Sequence, residues 1–405
     1  MNPENTDTSS SILPVPADKI LPRLDSIDVL RGLVMVVMAL DHTRDYFSNA
    51  MIDPTDLTKT NSALFLTRFV THFCAPVFVF LAGTGAFLST LRGKTQSDLA
   101  RFLLTRGLWL VLLELTVIRC LGWDFNFDYH NWQGLVIWAI GWSMVALAGL
   151  IFLPQRALVG VGLVMILGHN ALDKIQPEHL GKLGWLWKIL HVPGEMEPAS
   201  GFHLFVMYPL IPWIGVMAVG YGFGKLLLHE PQQRQKLLFR LGAVLTLSFV
   251  ILRTVNVYGD PSRWAVQKNW WFTAFSFLNC TKYPPSVLYL LMTLGPALMA
   301  LAWLDKSSGR WRQPFLIIGR VPLFYYLLHL PLIHLMAVIF SWIRYGHPVE
   351  ALYGNPPRPE APSDFGYSLP IVYLVWIGIV VMLYPACRWF ADLKKRRKDA
   401  WLSYL

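Results

Sequence analysis

About ten apolar stretches recur along this chain, each close to the ~20 residues that an α-helix needs to cross a hydrocarbon core. They fall near residues 27–47, 64–91, 102–121, 134–153, 158–171, 202–228, 237–255, 286–304, 315–343 and 369–390. In lipid the backbone must satisfy its own hydrogen bonds, and a continuous apolar run of this length does so as a helix. The expected fold is therefore all-α and integral to a membrane, a bundle of about ten transmembrane helices. Composition agrees: 15% of the residues are charged, against ~25% in a soluble domain. The formal charge of +10 does not gather into one stripe, so no nucleic-acid partner is expected.

Instead the basic residues form short clusters between the apolar runs. Lys19 and Arg23 precede the first run; Arg92, Lys94 and Arg101 follow the second; Arg156 follows the fourth. Lys225, Arg234, Lys236 and Arg240 follow the sixth, Lys306, Arg310 and Arg312 the eighth, and Lys394, Lys395, Arg396, Arg397 and Lys398 the last. All lie on one side if the number of spans is even, and the positive-inside rule then puts both termini in the cytoplasm. The first loop on the other side sets Asp53 and Asp56 against Lys59. The expected organisation is a cytoplasmic tail over 1–23, a membrane domain over 24–391 and a basic cytoplasmic tail over 392–405. The opening residues lack the basic start and short apolar core of a signal peptide, so the first span is expected to direct insertion and to stay. Two outer loops, 170–201 and 256–285, are rich in Trp, Pro and Gly and are candidates for a lid or vestibule. Cys74 and Cys387 lie within apolar runs; Cys120 and Cys280 both fall toward the outer side, where a disulfide between them is open.

Ionisable residues inside a spanning helix are costly unless paired or facing water or a partner helix, and so mark functional sites. The first span is dense in them: Asp28, Arg31, Asp41, His42, Arg44 and Asp45. Arg31 and His42 share a helical face, separated by ~16 Å along the axis. A permanent cation low on the face and a titratable imidazole above suit a phosphate-bearing donor entering from the cytoplasm and a base further in. The plainer readings are that Asp28 and Arg31 snorkel to the interface and that His42 is a structural histidine held by Asp41 or Asp45. Arg68 and His72 share a face of the second span, and Pro76 frees the backbone carbonyl of His72 one turn earlier. His329 sits deep in the ninth span with Tyr325 and Tyr326 just before it; His334 is nearer its outer end. Glu114 is alone in the third span, and His169, Asn170 and Asp173 mark the outer end of the fifth, where polar residues are cheap. Lys282 stands at the mouth of the eighth, an anchor or a contact for an acceptor. No phosphate-cradling glycine loop, serine elbow or His/Cys metal spacing is seen, and no metal is expected.

Several blocks together carry a resemblance. Ser26-Ile27-Asp28-Val29-Leu30-Arg31-Gly32-Leu33, Met38-Ala39-Leu40-Asp41-His42-Thr43-Arg44-Asp45, Cys74-Ala75-Pro76-Val77-Phe78-Val79-Phe80-Leu81-Ala82-Gly83, Lys282-Tyr283-Pro284-Pro285-Ser286 and Gly319-Arg320-Val321-Pro322-Leu323-Phe324-Tyr325-Tyr326-Leu327-Leu328-His329 resemble the bacterial relatives of heparan-alpha-glucosaminide N-acetyltransferase. The Arg31 to His42 spacing also resembles the signature of the broader membrane acyltransferase group that includes acyltransferase family 3. The resemblance implies transfer of an acetyl group from cytoplasmic acetyl-CoA to a sugar or other hydroxyl or amine acceptor at the outer face of a bacterial inner membrane, with the lipid bilayer, acyl-CoA and a saccharide or small molecule as partners and a homodimer left open. It implies His42 as catalytic and Arg31 for the acyl-CoA; the reading of the buried and interfacial residues adds His72, His329 and Asp41 as catalytic candidates, Arg68 and Arg320 for the acyl-CoA, and Lys282, Asp45 and Tyr326 for the acceptor. One departure matters: the family's proposed catalytic histidine lies in the first outer loop, and loop 48–63 of this chain holds no histidine. The alternatives are a proton-coupled small-solute transporter that uses the same buried charges, and a scaffold without activity, with its cytoplasmic face sealed, Arg31 capped by Asp28 and no tunnel to His42.

Overall fold

In the computed structural model the described residues are 23–91, 93–123, 125, 127–353, 361–397 and 399–405. Expectations for Lys19, Arg92, Lys398 and the tail before residue 23 lie outside them. Each apolar run forms helix over most of its length. The first becomes α1 (Asp25–Phe47). The second is broken into α2 (Ser62–Thr71) and α3 (Cys74–Thr90), because Pro76 has no N–H for the His72 carbonyl. That carbonyl accepts a hydrogen bond from Tyr289 Oη at 2.6 Å instead. α4 (Gln96–Leu113) begins on a Thr95/Asp98 capping box and continues as a π-helical turn over Glu114–Trp123. Then come α5 (Val136–Leu150), α6 (Gln155–Gly168), the short α7 (Gly184–Leu190), α8 (Leu210–Phe223), α9 (Pro231–Val255) and α10 (Trp270–Leu278). α11 (Val287–Lys306) starts on a Ser286 cap. The ninth run is broken at Val321 into α12 (Gln313–Arg320) and α13 (Pro322–Tyr345), and α14 (Leu369–Arg396) is the last long helix.

Seven of these are long and apolar enough to span: Ser62–Thr90, Gln155–Leu172, Leu210–Leu228, Pro231–Val255, Val287–Lys306, Pro322–Tyr345 and Leu369–Arg396. The other three expected spans are helical as well, but α1 is loaded with charge, α4 bends into the π turn, and α5 has 15 residues. Leu247, Val250 and Ile251 of α9 and Leu374, Ile377 and Val381 of α14 are exposed. Rows of outward-facing apolar side chains on long helices suit lipid and not water, and the molecule is an integral membrane protein.

The chain is mostly helical, as expected of an all-α bundle, with one small three-stranded sheet that was not expected, β1 (Asn131–Gly134), β2 (Gly194–Ala199) and β3 (Phe202–Val206), in the order β1-β3-β2. β1 runs parallel to β3, with Asn131 opposite His203; β2 runs antiparallel to it with an irregularity between Met196 and Ala199. Residues 202–206, expected as the start of the sixth span, bury Leu204 and Val206 in strand alternation. The helix begins only after Pro209.

α1 is the central helix, packed on α3, α11, α12, α13 and α14. Its contact with α12 is backbone on backbone. A Cβ at Gly32 would lie 1.9 Å from the Phe315 carbonyl oxygen, and one at Gly319 1.8 Å from that of Asp28. The loop 256–285, expected on the outer side as a candidate lid or vestibule, is pinned by buried side chains. Buried Arg253 donates to the carbonyls of Phe277 (2.9 Å), Ser262 (2.7 Å), Ser276 (3.1 Å) and Asn279 (2.8 Å). Asp260 accepts from Thr281 N at 2.9 Å and Ser286 Oγ at 2.6 Å. All four cysteines are buried free thiols, so Cys120 and Cys280 do not pair.

Candidate functional site

At the end of the bundle that carries the basic clusters, α1 delivers Arg31 and Met35 to a cavity of about 450 Å³. Lys94, Arg106, Arg320 and Lys394 stand around the same space, so five cations from separate segments converge on it. Its deeper walls are apolar, with Leu110, Ile137 and Met144, and α13 contributes Leu323 and Tyr326. Arg31 donates to Asp28 Oδ1 at 3.1 Å and to the Gly319 carbonyl at 3.3 Å. Arg320 pairs with Asp25 at 3.0 Å. Arg31 also borders a second cavity of about 460 Å³, shared with Arg23 and Arg234. Asp28 therefore holds Arg31 without sealing this face. A ring of cations over an apolar shaft suits a polyphosphate carrying a longer, less polar arm.

Further along α1, two of the predicted histidines meet. His42 and His329 lie with ring centroids 5.3 Å apart, and Trp123 packs edge-on against His42 at 5.0 Å. His329 Nδ1 is 2.6 Å from the Tyr326 carbonyl. A carbonyl only accepts, so Nδ1 carries the proton and the neutral ring keeps its lone pair on Nε2. That Nε2 is buried and, like His42 Nδ1, has no hydrogen-bond partner among the described residues. Asp45 Oδ2 stands 4.0 Å from His42 Nδ1. The basic-end cavity passes Arg31 but stops short of His42: Met35 and Tyr326 line it, about two turns below His42 and one below His329.

The neighbouring face of α1 has a different task. Asp41 forms an ion pair with Arg44 at 2.8 Å and accepts hydrogen bonds from Thr71 Oγ1 at 3.0 Å and from Arg68. Arg44 also pairs with the more exposed Asp45 at 2.6 Å. This network ties α1 to α2 and aims Arg68 at a third cavity, about 250 Å³, at the opposite end of the bundle. His72, Asp53, Ser262, Lys282 and Tyr283 line it. His72 Nδ1 donates to the Arg68 carbonyl at 2.8 Å, which again leaves Nε2 as the lone-pair nitrogen. Tyr283 lies beneath the Lys282 ammonium, 5.0 Å from the ring centre, with Tyr208 Oη at 3.5 Å. Burial pushes the Tyr283 phenol up, but the Lys282 and Arg68 cations outweigh it and hold the phenol below the usual tyrosine range.

The three histidines thus do not share one cavity. His42 and His329 form a pair in the interior, and His72 belongs with Lys282 at the opposite end. Glu114 accepts from the backbone of Ile137 at 2.8 Å and Trp138 at 3.1 Å and caps α5. His334 is held by the carbonyls of Gly122, at 2.9 Å, and Leu352. Sequence reasoning passed over Lys94, Arg106 and Lys394 as cavity residues, and Tyr208 and Tyr283 as its neighbours at the other end. The basic clusters were visible, but their convergence needed the helix packing.

A family model described as heparan-alpha-glucosaminide N-acetyltransferase, catalytic, matches residues 23–258, more than half of the chain. No curated protein sequence matches it.

Proposed function

This chain belongs to the heparan-alpha-glucosaminide N-acetyltransferase catalytic family, whose members are acyltransferases, and from that premise we propose that it moves an acetyl group across the membrane from acyl-CoA to an outer acceptor. The observation that carries this reading is the basic-end cavity, lined by Arg31, Lys94, Arg106, Arg320 and Lys394 together with apolar side chains and Tyr326, which stands one turn below His329 of the His329–His42 pair. The cations would hold the phosphates of CoA, and the shaft would take the arm that ends in the thioester. His42, beside His329 and within reach of Asp45, is the proposed base. It would accept the proton of the attacking hydroxyl or amine as the new ester or amide forms and the C–S bond breaks, then return a proton to the departing thiolate. His72, Arg68, Lys282 and Tyr283 are the proposed acceptor site, their polar lining suited to a sugar. Both cavities draw on residues beyond the matched region, so the acyltransferase unit is proposed to span 24–391, in a bacterial inner membrane with both termini cytoplasmic.

Purified protein with radiolabelled acetyl-CoA tests this. The expected result is CoA binding, lost in Arg31→Gln, and acetyl transfer reduced by ~100-fold or more in His42→Ala, at the scale of a lost general base. Absence of CoA binding, together with identical turnover in wild type and His42→Ala, would overturn it. Two cavities at opposite ends, separated by buried ionisable groups, also resemble a proton-coupled transporter. Solute uptake into vesicles without any acyl donor would favour that reading.

A further inference from the structure

We propose that the chain carries a structural zinc site, separate from both cavity systems, formed by His169, Asp173 and His191. His169 follows α6, Asp173 lies just beyond it, and His191 ends α7. One donor atom from each lies within 4.8 Å of the others. His191 Nε2 and Asp173 Oδ1 are already 3.2 Å apart, the separation expected of two ligands on one tetrahedral zinc with bonds of ~2.0–2.1 Å. The His169 donor lies within 4.8 Å of both, and a bound ion would draw it to the same separation.

Two further observations point to a metal and not to a hydrogen-bonded trio. His169 and His191 are each 1% exposed, and among the described residues neither ring nitrogen of His169, nor Nδ1 of His191, has a hydrogen-bond partner. Buried polar atoms are nearly always satisfied, and an ion at the centre of the three side chains would occupy the ring lone pairs. The surroundings are those of a supported site. Asn170 Nδ2 donates to Asp173 Oδ2 at 2.9 Å, leaving Oδ1 for the ion. Trp187 packs on His191 with ring centroids 4.9 Å apart. Such outer contacts fix the orientation of metal ligands. Two imidazoles and one carboxylate favour zinc over magnesium or calcium, with a water completing the shell.

The site would act as a clamp. Asn170 Oδ1 also accepts from Val287 N at 2.9 Å, so the cluster is fastened to the start of α11, directly after the Lys282–Tyr283 wall of the third cavity. Sequence spacing did not suggest it because His191 arrives from a separate helix.

The test is metal binding by the full chain in detergent, stripped with EDTA and titrated with zinc chloride or magnesium chloride. The expected result is about one zinc per chain, a Tm raised by several degrees, and an X-ray absorption edge showing N/O ligands near ~2.0 Å with imidazole scattering; magnesium does neither. Asp173→Asn and His191→Ala lose the zinc and the Tm rise, whereas His203→Ala, on the exposed His203–Glu195 pair, keeps both. Substoichiometric zinc, zinc retained by His169→Ala/His191→Ala, or a wild-type edge spectrum without imidazole scattering would each overturn the proposal. The spectrum decides even if the variants do not fold, and none of these readouts depends on acetyl transfer.

Discussion

Asp41→Asn separates the structural task of the α1 carboxylate from the chemistry beside it. The Asp41 side chain is 12% exposed and bridges Arg44 (6%) and Arg68 (15%). At the 2.8 Å Arg44 contact, two unit charges attract by about 6 kcal/mol at an effective dielectric of ~20, before desolvation is counted. Breaking a buried pair by removing one partner typically costs ~3–5 kcal/mol, because the other charge is left buried and alone. Arg44 retains Asp45, so most of the loss falls on Arg68 and the expected cost is about 3 kcal/mol, the low end of that range. If that is the cause, Asp41→Asn/Arg68→Gln will be less destabilised than the sum of its singles by about 2 kcal/mol, a coupling of the size found between contacting charges. Reversible unfolding in mixed micelles, followed by tryptophan fluorescence across the four proteins, measures this. Additivity to within ~0.5 kcal/mol would show that Asp41 does not act through Arg68.

Other perturbations probe other contacts. Gly319→Ala sets a Cβ 1.8 Å from the Asp28 carbonyl; separating α12 from α1 is expected to cost about 3 kcal/mol and to weaken CoA binding by moving the carbonyl that Arg31 contacts, and an unchanged Tm would refute the close approach. Tyr289→Phe leaves the His72 carbonyl without its donor and is expected to destabilise by ~1–3 kcal/mol in the same unfolding assay. Tyr283 is held below the usual tyrosine range, so its linked stabilisation is complete above the unfolded value of ~10 and lost as pH falls through the folded value. Lys282→Met should move the tyrosinate absorbance step that Tyr283→Phe abolishes toward higher pH; coincident titration curves would contradict the assignment.

Helix existence was legible because a membrane leaves a long apolar run one way to satisfy its backbone. The His72 carbonyl freed by Pro76 was readable before its partner Tyr289 was known, but the breaks that divide the second and ninth runs were not read from the sequence. The shared face of Arg31 and His42 was expected from helical period alone, but the cavity that takes Arg31 and Met35 does not reach His42. Residues 202–206 were misread because their apolar content suits helix and strand alike, and pairing with β1 and β2 is a long-range event.

The sequence by itself determined that this is a membrane bundle with charges buried in its first helix, since hydropathy and the cost of a charge in lipid are local properties. Tertiary structure decided what each charge does. Asp41 and His42 are adjacent in the chain but point to different neighbours, one into an ion network with Arg68 and the other against His329. The five cations of the first cavity come from separate segments: the packing of α1 against α12, through two glycines with no room for a side chain, brings Arg31 to Arg320, and the fold adds Lys94, Arg106 and Lys394.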